Sequence, residues 1–488
     1  MAIYHLTANI ISRARGQRVV AAAAYRAGAA LRDERYGVTH NYAARRDTLH
    51  AEIMAPEGSP AWVQDREMLW NSVEAREVRK DSQLARVIEV GLPMELSADE
   101  HIALVRDYIA QQFVAKGMIA DFVIRRNTNN PHAHILLTLR ALTQSGFGPK
   151  ERRWNGKAAL LEWRSAWAGR VNEHLARAGH AVSIDHRTLE AQQIELTPGR
   201  RVGGRARQSD AVPDYIGERI AEQQLIARQN GRTILEDPTV ALRAITHQRP
   251  TFTMQELTQF LRSRTESAAQ LDAALLAISR SADLVALDGA GGQERFTSRD
   301  MIEAHQSLVR RAASMLLRRG HAVDTDRRLA VLGQSTLTDA ERCSFDYVVS
   351  DGDLKALTTG AAAKAVLLPA ARHAWHAQGL TVEGAAPSAA EARHLEAATG
   401  IGSQDLAQCE ERWHRGLGRL TRDTVFVLDG AQLLGLKQLE RALAAADNAR
   451  AKIVLMADSD QLRAMKAEPP FCTLLRQVPA PAGAKSGA

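Results

Sequence analysis

The fold of the first part of this chain is decided by one stretch, Pro131-His132-Ala133-His134-Ile135-Leu136-Leu137-Thr138. Its apolar run is short and follows a proline, which is typical of a strand. Side chains alternate between the two faces of a strand, so His132 and His134 are expected on the same face. A turn at residues 127–131 would join this strand to a preceding one at 119–124. The sequence thus predicts two neighbouring strands, with two imidazoles where the second begins.

Two imidazoles on one face could serve a metal ion. Together with a carboxylate or a third histidine they would hold a divalent cation, which could polarise a phosphate. Nitrogen ligands favour Mn²⁺ or a later transition metal, although Mg²⁺ completed by water also suits such a site. The alternative is two exposed strand histidines, and spacing alone favours that interpretation.

A second feature is a tyrosine within a run of small residues, Ala21-Ala22-Ala23-Ala24-Tyr25-Arg26. A phenol ionises near pH 10, so a nucleophilic tyrosine needs a nearby cation or base. Arg18 and Arg26 flank Tyr25 and could bind a phosphate. The first 50 residues hold eight Arg against two Asp and one Glu, a net charge of +5. The alternative is that Tyr25 packs, half-buried, on an alanine-rich helix.

Composition limits the class of protein. The chain has 488 residues, 45% hydrophobic and 24% charged, which is normal for several globular domains. Its net charge of +7 suggests a polyanionic partner. Three widely separated cysteines exclude a thiolate metal cluster and imply no disulfide framework. With neither a signal peptide nor an apolar run of membrane length, the chain is expected in the cytoplasm.

The order of strand-like and helix-like runs predicts an α+β domain at residues 1–200, an antiparallel sheet with flanking helices. Strands are expected at 3–8, 86–92, 119–124 and 132–139, and helices at 19–31, 60–80, 97–113 and 160–178. A stretch rich in Gly, Arg and Pro at 197–209 is interpreted as a linker or surface loop.

Residues 201–325 are expected to be mostly helical, with a capping box at Thr253-Met254-Gln255-Glu256 and a hairpin that turns at 289–292. This pattern fits a winged-helix-like module or a helical spacer with one hairpin. Short buried strands at 354–358, 425–428 and 453–456 predict an α/β domain over 326–475. Residues 476–488 are of low complexity and are predicted to be disordered.

Several segments resemble the MobA/MobL family of plasmid mobilisation relaxases, especially the TraA type of Ti-like plasmids. They are residues 1–7 (MAIYHLT), 21–26 (AAAAYR), 88–93 (IEVGLP), 131–138 (PHAHILLT) and 184–192 (IDHRTLEAQ). The resemblance implies a five-stranded HUH-type domain. It also implies that Tyr25 links to DNA, that His132 and His134 bind Mg²⁺ or Mn²⁺, and that Glu89 is a supporting acid near the metal. Arg18, Arg26, Arg125 and Arg126 are then expected to contact DNA.

One position departs from the family pattern. Where the family usually has a third metal-binding histidine, at the end of the preceding strand, this chain has Arg125. A guanidinium cannot ligate a metal. Either Asp121, Glu89 or water then completes the metal's shell, or metal binding is weakened.

The C-terminal region resembles the first motor domain of a RecD-like superfamily 1 helicase. The family's phosphate loop aligns with residues 359–365, where Lys364 is kept but Ala363 and Ala365 replace a glycine and a hydroxyl residue. The acidic motif keeps Asp429 and has Gly430 in place of a glutamate. The chain also ends without a second motor segment. We therefore expect a truncated, degenerate P-loop-like domain without ATPase or helicase activity.

The resemblance implies a relaxase that nicks one strand at a transfer origin and forms a 5′-phosphotyrosyl intermediate, with later rejoining. Its expected partners are single-stranded or hairpin origin DNA, a coupling protein and accessory transfer proteins, and it would be exported with the DNA. Two alternatives stay open at this point. One is an impaired homologue that binds the origin and regulates or recruits other proteins. The other is a rolling-circle replication initiator, which the helicase-like extension disfavours.

Overall fold

The computed structural model of the protein describes residues 4–126, 130–143, 146–199, 214–287, 294–466 and 468–478, with backbone alone at 214–219. The predicted turn at 289–292, most of the predicted linker at 197–209 and most of the predicted tail at 476–488 lie outside the described residues. The chain divides into two compact units. The first is formed mainly by residues 1–180, and the second mainly by 187–387 and 391–488. No described helix is both long enough and apolar enough to cross a membrane.

The first unit combines a five-stranded sheet with four α-helices and two small hairpins. Its strands are β1 (Leu6–Ser12), β2 (Ala30–Asp33), β3 (Val38–Asn41), β4 (Thr48–Met54), β5 (Gln83–Gly91), β6 (Ala120–Arg125), β7 (His132–Thr138), β8 (Arg140–Thr143) and β9 (Gly146–Lys150). Its α-helices are α1 (Val19–Ala27), α2 (Arg66–Arg76), α3 (Ala98–Gln112) and α4 (Lys157–Ala178).

The large sheet has the strand order β1-β5-β7-β6-β4, and every neighbouring pair is antiparallel. The strand that begins with the histidine pair, β7, therefore lies at the centre. The predicted antiparallel sheet with flanking helices is confirmed at this level. The strand β4 was not predicted, because its sequence TLHAEIM mixes polar and apolar residues without a clear alternation.

Two hydrophobic layers hold the sheet. Helices α1 and α2 share a core with one face of the sheet, where Val20 and Trp70 join Val87 and Leu136. Helices α3 and α4 form a second layer, in which the ring centroids of Tyr108 and Trp167 are 4.9 Å apart. The helix α3 begins at the predicted capping box, since Ser97 and Glu100 exchange both of its hydrogen bonds.

The predicted helix at 19–31 is too long. The structure ends α1 at Ala27, because Gly28 adopts a left-handed conformation with φ of +66° and its N–H bonds the carbonyl of Ala24. A glycine reaches this conformation without steric cost and commonly ends a helix in this way. The chain then turns into β2, which leaves Tyr25 in the last turn of α1.

The second unit contains the remaining described helices and strands. Its helices are α5 (Asp214–Glu236), α6 (Pro238–Gln248), α7 (Met254–Arg262), α8 (Ala268–Ser279), α9 (Arg299–Leu316), α10 (Thr325–Gly333), α11 (Asp339–Val349), α12 (Ala361–Ala377), α13 (Ala389–Thr399), α14 (Leu406–His414), α15 (Leu436–Ala449), α16 (Ser459–Ala464) and α17 (Pro470–Leu475). Its strands are β10 (Leu284–Leu287), β11 (Arg295–Ser298), β12 (Leu354–Thr359), β13 (Thr381–Ala386), β14 (Ser403–Asp405), β15 (Thr424–Leu428) and β16 (Lys452–Asp458).

A five-stranded parallel sheet with the order β12-β16-β15-β13-β14 organises the C-terminal part. The three strands expected from the sequence are present as β12, β15 and β16, and β13 and β14 complete the sheet. In an open parallel sheet, ligands bind beyond the carboxyl ends of the strands. Lys364, Asp429 and Asp458 follow or end β12, β15 and β16 at that edge. The antiparallel hairpin β10–β11 is also present, between α8 and α9.

One buried carboxylate ties the first unit together. Asp121 on β6 accepts hydrogen bonds from Arg66 Nε and Nη2, both at 2.8 Å, and from Trp70 Nε1 at 2.9 Å. Only 3% of Asp121 is exposed. Because a buried charge is costly unless it is paired and hydrogen-bonded, this arrangement fixes α2 against the sheet.

We expect Asp121→Asn to lower the free energy of unfolding by about 2 to 4 kcal/mol, since it leaves the Arg66 guanidinium without its carboxylate. Urea unfolding followed by tryptophan fluorescence would measure this, because five of the seven tryptophans lie within residues 1–180. Asp81→Asn, which changes an exposed carboxylate in the same unit, is the matched control. Equal effects of the two substitutions would show that the buried network contributes nothing specific.

Candidate functional site

The predicted histidine pair lies on one face of the sheet, as its spacing requires. The rings of His132 and His134 are 5.0 Å apart between centroids and nearly perpendicular, at 85°. Across the strand pairs, Glu89 lies opposite His134 and Arg125 lies opposite His132. Residues directly opposite each other in an antiparallel sheet share a face. The sheet thus brings together all four of these predicted site residues.

A carboxylate lies between two imidazoles at this face. Glu89 Oε1 is 3.8 Å from His5 Nε2, and Glu89 Oε2 is 3.9 Å from His134 Nδ1. The interaction with His5, together with the positive potential of His134 and His132, lowers the pKa of Glu89 to about 2. Burial lowers the pKa of His134 to about 4, against the opposing effect of Glu89. Near neutral pH the site therefore holds an ionised carboxylate beside a neutral imidazole.

The ligand set for a metal ion is incomplete. His134 Nδ1 is buried and makes no hydrogen bond, and His132 Nδ1 lies 2.9 Å from the carbonyl of Asn130, which leaves His132 Nε2 with a lone pair. These two imidazoles are suitable donors. Within the described part of the chain, however, no group of three or more His, Cys, Asp or Glu side chains is arranged to hold a metal. Asp121 is committed to Arg66 and Trp70.

Arg125 connects the histidine face to Tyr25. Its Nη2 donates to the backbone carbonyl of Tyr25 at 3.0 Å, and its Nη1 donates to Asp47 Oδ1 at 2.9 Å and to Thr48 Oγ1 at 3.2 Å. Only 4% of Arg125 is exposed. Arg125, expected from the resemblance to stand where the family has a third histidine, is therefore held in place by three hydrogen-bond acceptors.

Three residues that the sequence did not single out surround the tyrosine. The guanidinium carbon of Arg45 lies 4.2 Å from the centroid of the Tyr25 ring, and Tyr42 meets that ring edge-on at 5.3 Å. Asp47 binds Arg45 through Nε–Oδ1 and Nη2–Oδ2 contacts of 3.1 and 2.7 Å. The sequence feature that could have pointed to Arg45 and Asp47 is the charged triplet at 45–47, which directly precedes the unpredicted strand β4.

The other arginines predicted to contact DNA occupy different surroundings. Arg26 donates to the carbonyl of Ala22 at 2.9 Å, and burial lowers its pKa. Arg18 lies before the first turn of α1, about 10 Å along the helix from Tyr25, and its guanidinium stacks on Tyr36 at 4.1 Å. The structure therefore does not bring Arg18 to the tyrosine. The side chain of Arg126 is exposed.

In the second unit, the two residues of the predicted degenerate nucleotide site bind each other. Lys364 Nζ lies 2.8 and 3.0 Å from the two carboxylate oxygens of Asp429. Gly430 has a φ of +71°, and a Cβ atom at this position would lie 2.9 Å from Pro387 Cδ. A glutamate at 430 would therefore be strained and would collide with a proline ring.

The sequence is similar to several known proteins. Residues 17–211 match the model of the MobA/MobL family, and residues 336–482 match the model of an AAA domain. The conjugal transfer protein TraA of Rhizobium radiobacter is 33% identical over 98% of this chain and 48% of its own length. The mobilization protein MobL of Acidithiobacillus ferridurans is 35% identical over 42% of this chain and 62% of its own length.

A solved structure from work on the molecular basis of vancomycin resistance transfer in Staphylococcus aureus is 34% identical. The match covers 100% of that protein's chain and 38% of this one, with a TM-score of 0.37. The chain spans about half the length of the TraA proteins that it matches. By these matches, residues 17–211 form a region of the MobA/MobL type and residues 336–482 a region of the AAA type.

Proposed function

We propose that this protein is a relaxase, a DNA strand transferase whose nucleophile is Tyr25 on an HUH-type domain at residues 1–200. The phenol oxygen attacks a phosphodiester of a single-stranded transfer origin and releases a free 3′-OH, while the 5′-phosphate stays on the protein. One observation carries the proposal. A single buried arginine, Arg125, contacts the backbone of Tyr25 and lies opposite His132 on the sheet face that also holds Glu89 and His134.

The chemistry of the step suits this arrangement. A phosphodiester is exchanged for another phosphodiester, so the bond energy is retained and the free 3′-OH can reverse the reaction. The negative phosphate would lie on the sheet face that holds the two imidazoles, within the positive potential of the buried Arg125 guanidinium, which the sheet already holds in place. Arg26 and the exposed Arg126 are proposed to bind neighbouring phosphates, in line with the positive charge of the first 50 residues. The role predicted for Arg18 would require contact with a more distant part of the DNA.

The wider setting is part of the same proposal. The relatives are called conjugal transfer and mobilization proteins, which supports a plasmid transfer origin as the substrate. A coupling protein and accessory transfer proteins are the partners proposed on this basis, with the protein acting in the cytoplasm before it moves with the DNA. The Mg²⁺ or Mn²⁺ expected from the sequence stays a prediction, for which His132 and His134 supply two nitrogen ligands.

A second candidate function is binding to the origin without cleavage. It is favoured by Arg125, which occupies the place of a third imidazole and leaves the metal ligand set incomplete among the residues that the structure describes. In that case the domain would recognise origin DNA and regulate or recruit other proteins. The two functions differ in whether a covalent protein–DNA product forms.

We expect wild-type protein to form a covalent adduct with an end-labelled single-stranded oligonucleotide of its plasmid's transfer origin, in the presence of Mg²⁺ or Mn²⁺. Tyr25→Phe should abolish the adduct, because it removes the oxygen that attacks, and should leave DNA affinity within about a few-fold. Denaturing gels measure the adduct, and fluorescence anisotropy measures the affinity.

Tyr36→Phe is the matched control, since this exposed tyrosine lies against Arg18 and not at the histidine face. An adduct that persists in Tyr25→Phe and maps to Tyr4, Tyr36 or Tyr42 would refute the choice of nucleophile. The lack of any adduct in the wild-type protein, with tight binding of the oligonucleotide, would favour the second candidate function.

We further propose that the AAA domain is a degenerate motor segment that does not hydrolyse ATP. The carboxylate of Asp429 is bound by Lys364 and is not available to a magnesium ion unless that pair breaks. The residues beside Lys364, Ala363 and Ala365, offer neither a glycine nor a hydroxyl to a phosphate–magnesium complex. The position that follows Asp429 has no side chain to activate water. The predicted division into segments 201–325, 326–475 and 476–488 remains a proposal.

We expect no DNA-stimulated release of phosphate from ATP by the full chain, measured with single-stranded DNA over a range of protein concentrations. Lys364→Ala should leave any background rate unchanged, because that rate would come from a contaminant. Phosphate release that disappears in Asp429→Ala would contradict this expectation, since a contaminating ATPase would not respond to that substitution.

A further inference from the structure

The tyrosine proposed as the nucleophile lies among cations that the sequence did not assign to it. The guanidinium of Arg45 is 4.2 Å from the ring centroid of Tyr25, and that of Arg125 is 6.0 Å from it. One carboxylate, Asp47, binds both guanidiniums, at distances of 2.7 to 3.1 Å. Ring, cations and carboxylate thus form one connected cluster, built from α1, from β6 and from the segment that leads into β4.

The charge state of the nearer cation is secure. The hydrogen bond to Asp47 raises the pKa of Arg45, burial acts in the opposite direction, and a hydrogen bond with Tyr25 raises it again. The partner carboxylate has a lowered pKa, first because of Arg45 and then, against the effect of burial, because of Arg125. Arg45 is therefore a permanent cation, and its guanidinium carbon lies 4.2 Å from the centroid of the Tyr25 ring.

The other groups around the ring differ in their position. Arg26 follows Tyr25 on α1. Burial lowers the pKa of Arg26, and the nearby Asp121, Tyr25 and Glu89 act in the opposite direction. Arg125 binds the backbone carbonyl of Tyr25, so its guanidinium is directed at the main chain. Tyr42 presents its ring edge-on. The Arg45 guanidinium lies nearer to the Tyr25 ring than that of Arg125 does, at 4.2 against 6.0 Å, and Tyr25 in turn raises the pKa of Arg45.

We propose that Arg45 is a catalytic residue that stabilises the ionised oxygen of Tyr25, and that Asp47 is the positioning residue that holds Arg45 against it. This inference rests on the proposed function of Tyr25 as nucleophile and names the group that makes it reactive. A guanidinium cannot accept a proton, so Arg45 acts through its charge and its N–H donors, and the phenol proton passes to water. The Tyr25 oxygen then bonds to phosphorus as the P–O3′ bond breaks, and the departing 3′ oxygen takes up a proton.

The ionisation of Tyr25 can be measured without DNA. Tyrosine labelled with ¹³C at the ring carbon that bears the oxygen gives one NMR signal per residue, and the signal missing in Tyr25→Phe identifies Tyr25. We expect Arg45→Gln to raise the pH at which Tyr25 is half ionised by about one pH unit or more, because an opposite charge at this distance has effects of that size. Arg45→Lys, which keeps the charge, should bring this midpoint part of the way back.

Arg46→Gln is the matched control, because it removes the same charge one residue further along from an exposed side chain. It should leave the midpoint unchanged. Asp47→Asn distinguishes a positioning role of Asp47, which holds Arg45 in place, from the direct effect of its negative charge on Tyr25. Removal of a nearby negative charge would by itself lower the midpoint, whereas the loss of a positioning residue would raise it. An unchanged midpoint in a folded Arg45→Gln protein overturns the role of Arg45, and an unchanged or lower midpoint in Asp47→Asn overturns the role of Asp47.

Adduct formation with the origin oligonucleotide gives a second readout. In Arg45→Gln, the pH at half-maximal adduct formation should move upward together with the NMR midpoint. The rate near neutral pH should fall about ten-fold for every pH unit by which that midpoint rises, because the ionised fraction of the phenol falls in that proportion. The two proposals fail in different ways. If no adduct forms with any variant while the NMR midpoint still depends on Arg45, the proposed function is wrong and the electrostatic role of Arg45 stands.

Discussion

The antiparallel pairing of β7 with β5 on one side and β6 on the other positions the histidine face of the candidate site. Ala133 and Ile135 are fully buried and alternate with the two histidines, so a slip by one residue would move the two imidazoles to the opposite face of the sheet, away from Glu89 and Arg125. The same pairing sets Glu89 and Arg125 beside the histidines, because cross-strand neighbours share a face.

A local irregularity completes the site. The register of β4 against β6 shifts between Thr48 and His50, so that Thr48 lies opposite Arg125. Bulges of this kind redirect side chains and are frequent next to functional sites. Here the shift supplies Arg125 with a hydroxyl acceptor next to the carboxylate of Asp47. A guanidinium that is almost fully buried needs such acceptors, and it obtains them without drawing on Glu89 or the histidines.

Much of this arrangement is readable from sequence, but not all of it. The strand β7 and the capping box of α3 follow from patterns within a few residues, and both are present in the structure. The cluster around Tyr25 is different, since it joins residues 25, 45–47 and 125 through a strand whose sequence shows no clear alternation. Contacts of this kind depend on how the chain closes on itself. Family resemblance pointed to Tyr25 and the histidine pair as candidate site residues. Arg45 and Asp47 were recognised only from their distances to Tyr25 and to each other in the structure.

The backbone at Gly430 limits which residues this position can accept. In the left-handed region, with Pro387 Cδ 2.9 Å from where a Cβ atom would lie, a side chain would be strained and would collide with the proline ring. A glutamate introduced here would therefore need two adjustments at once, one of the backbone and one of Pro387, because removing either obstacle leaves the other. An engineer who wished to place an acid after Asp429 would have to redesign the loop around both residues and could not do so by a single substitution.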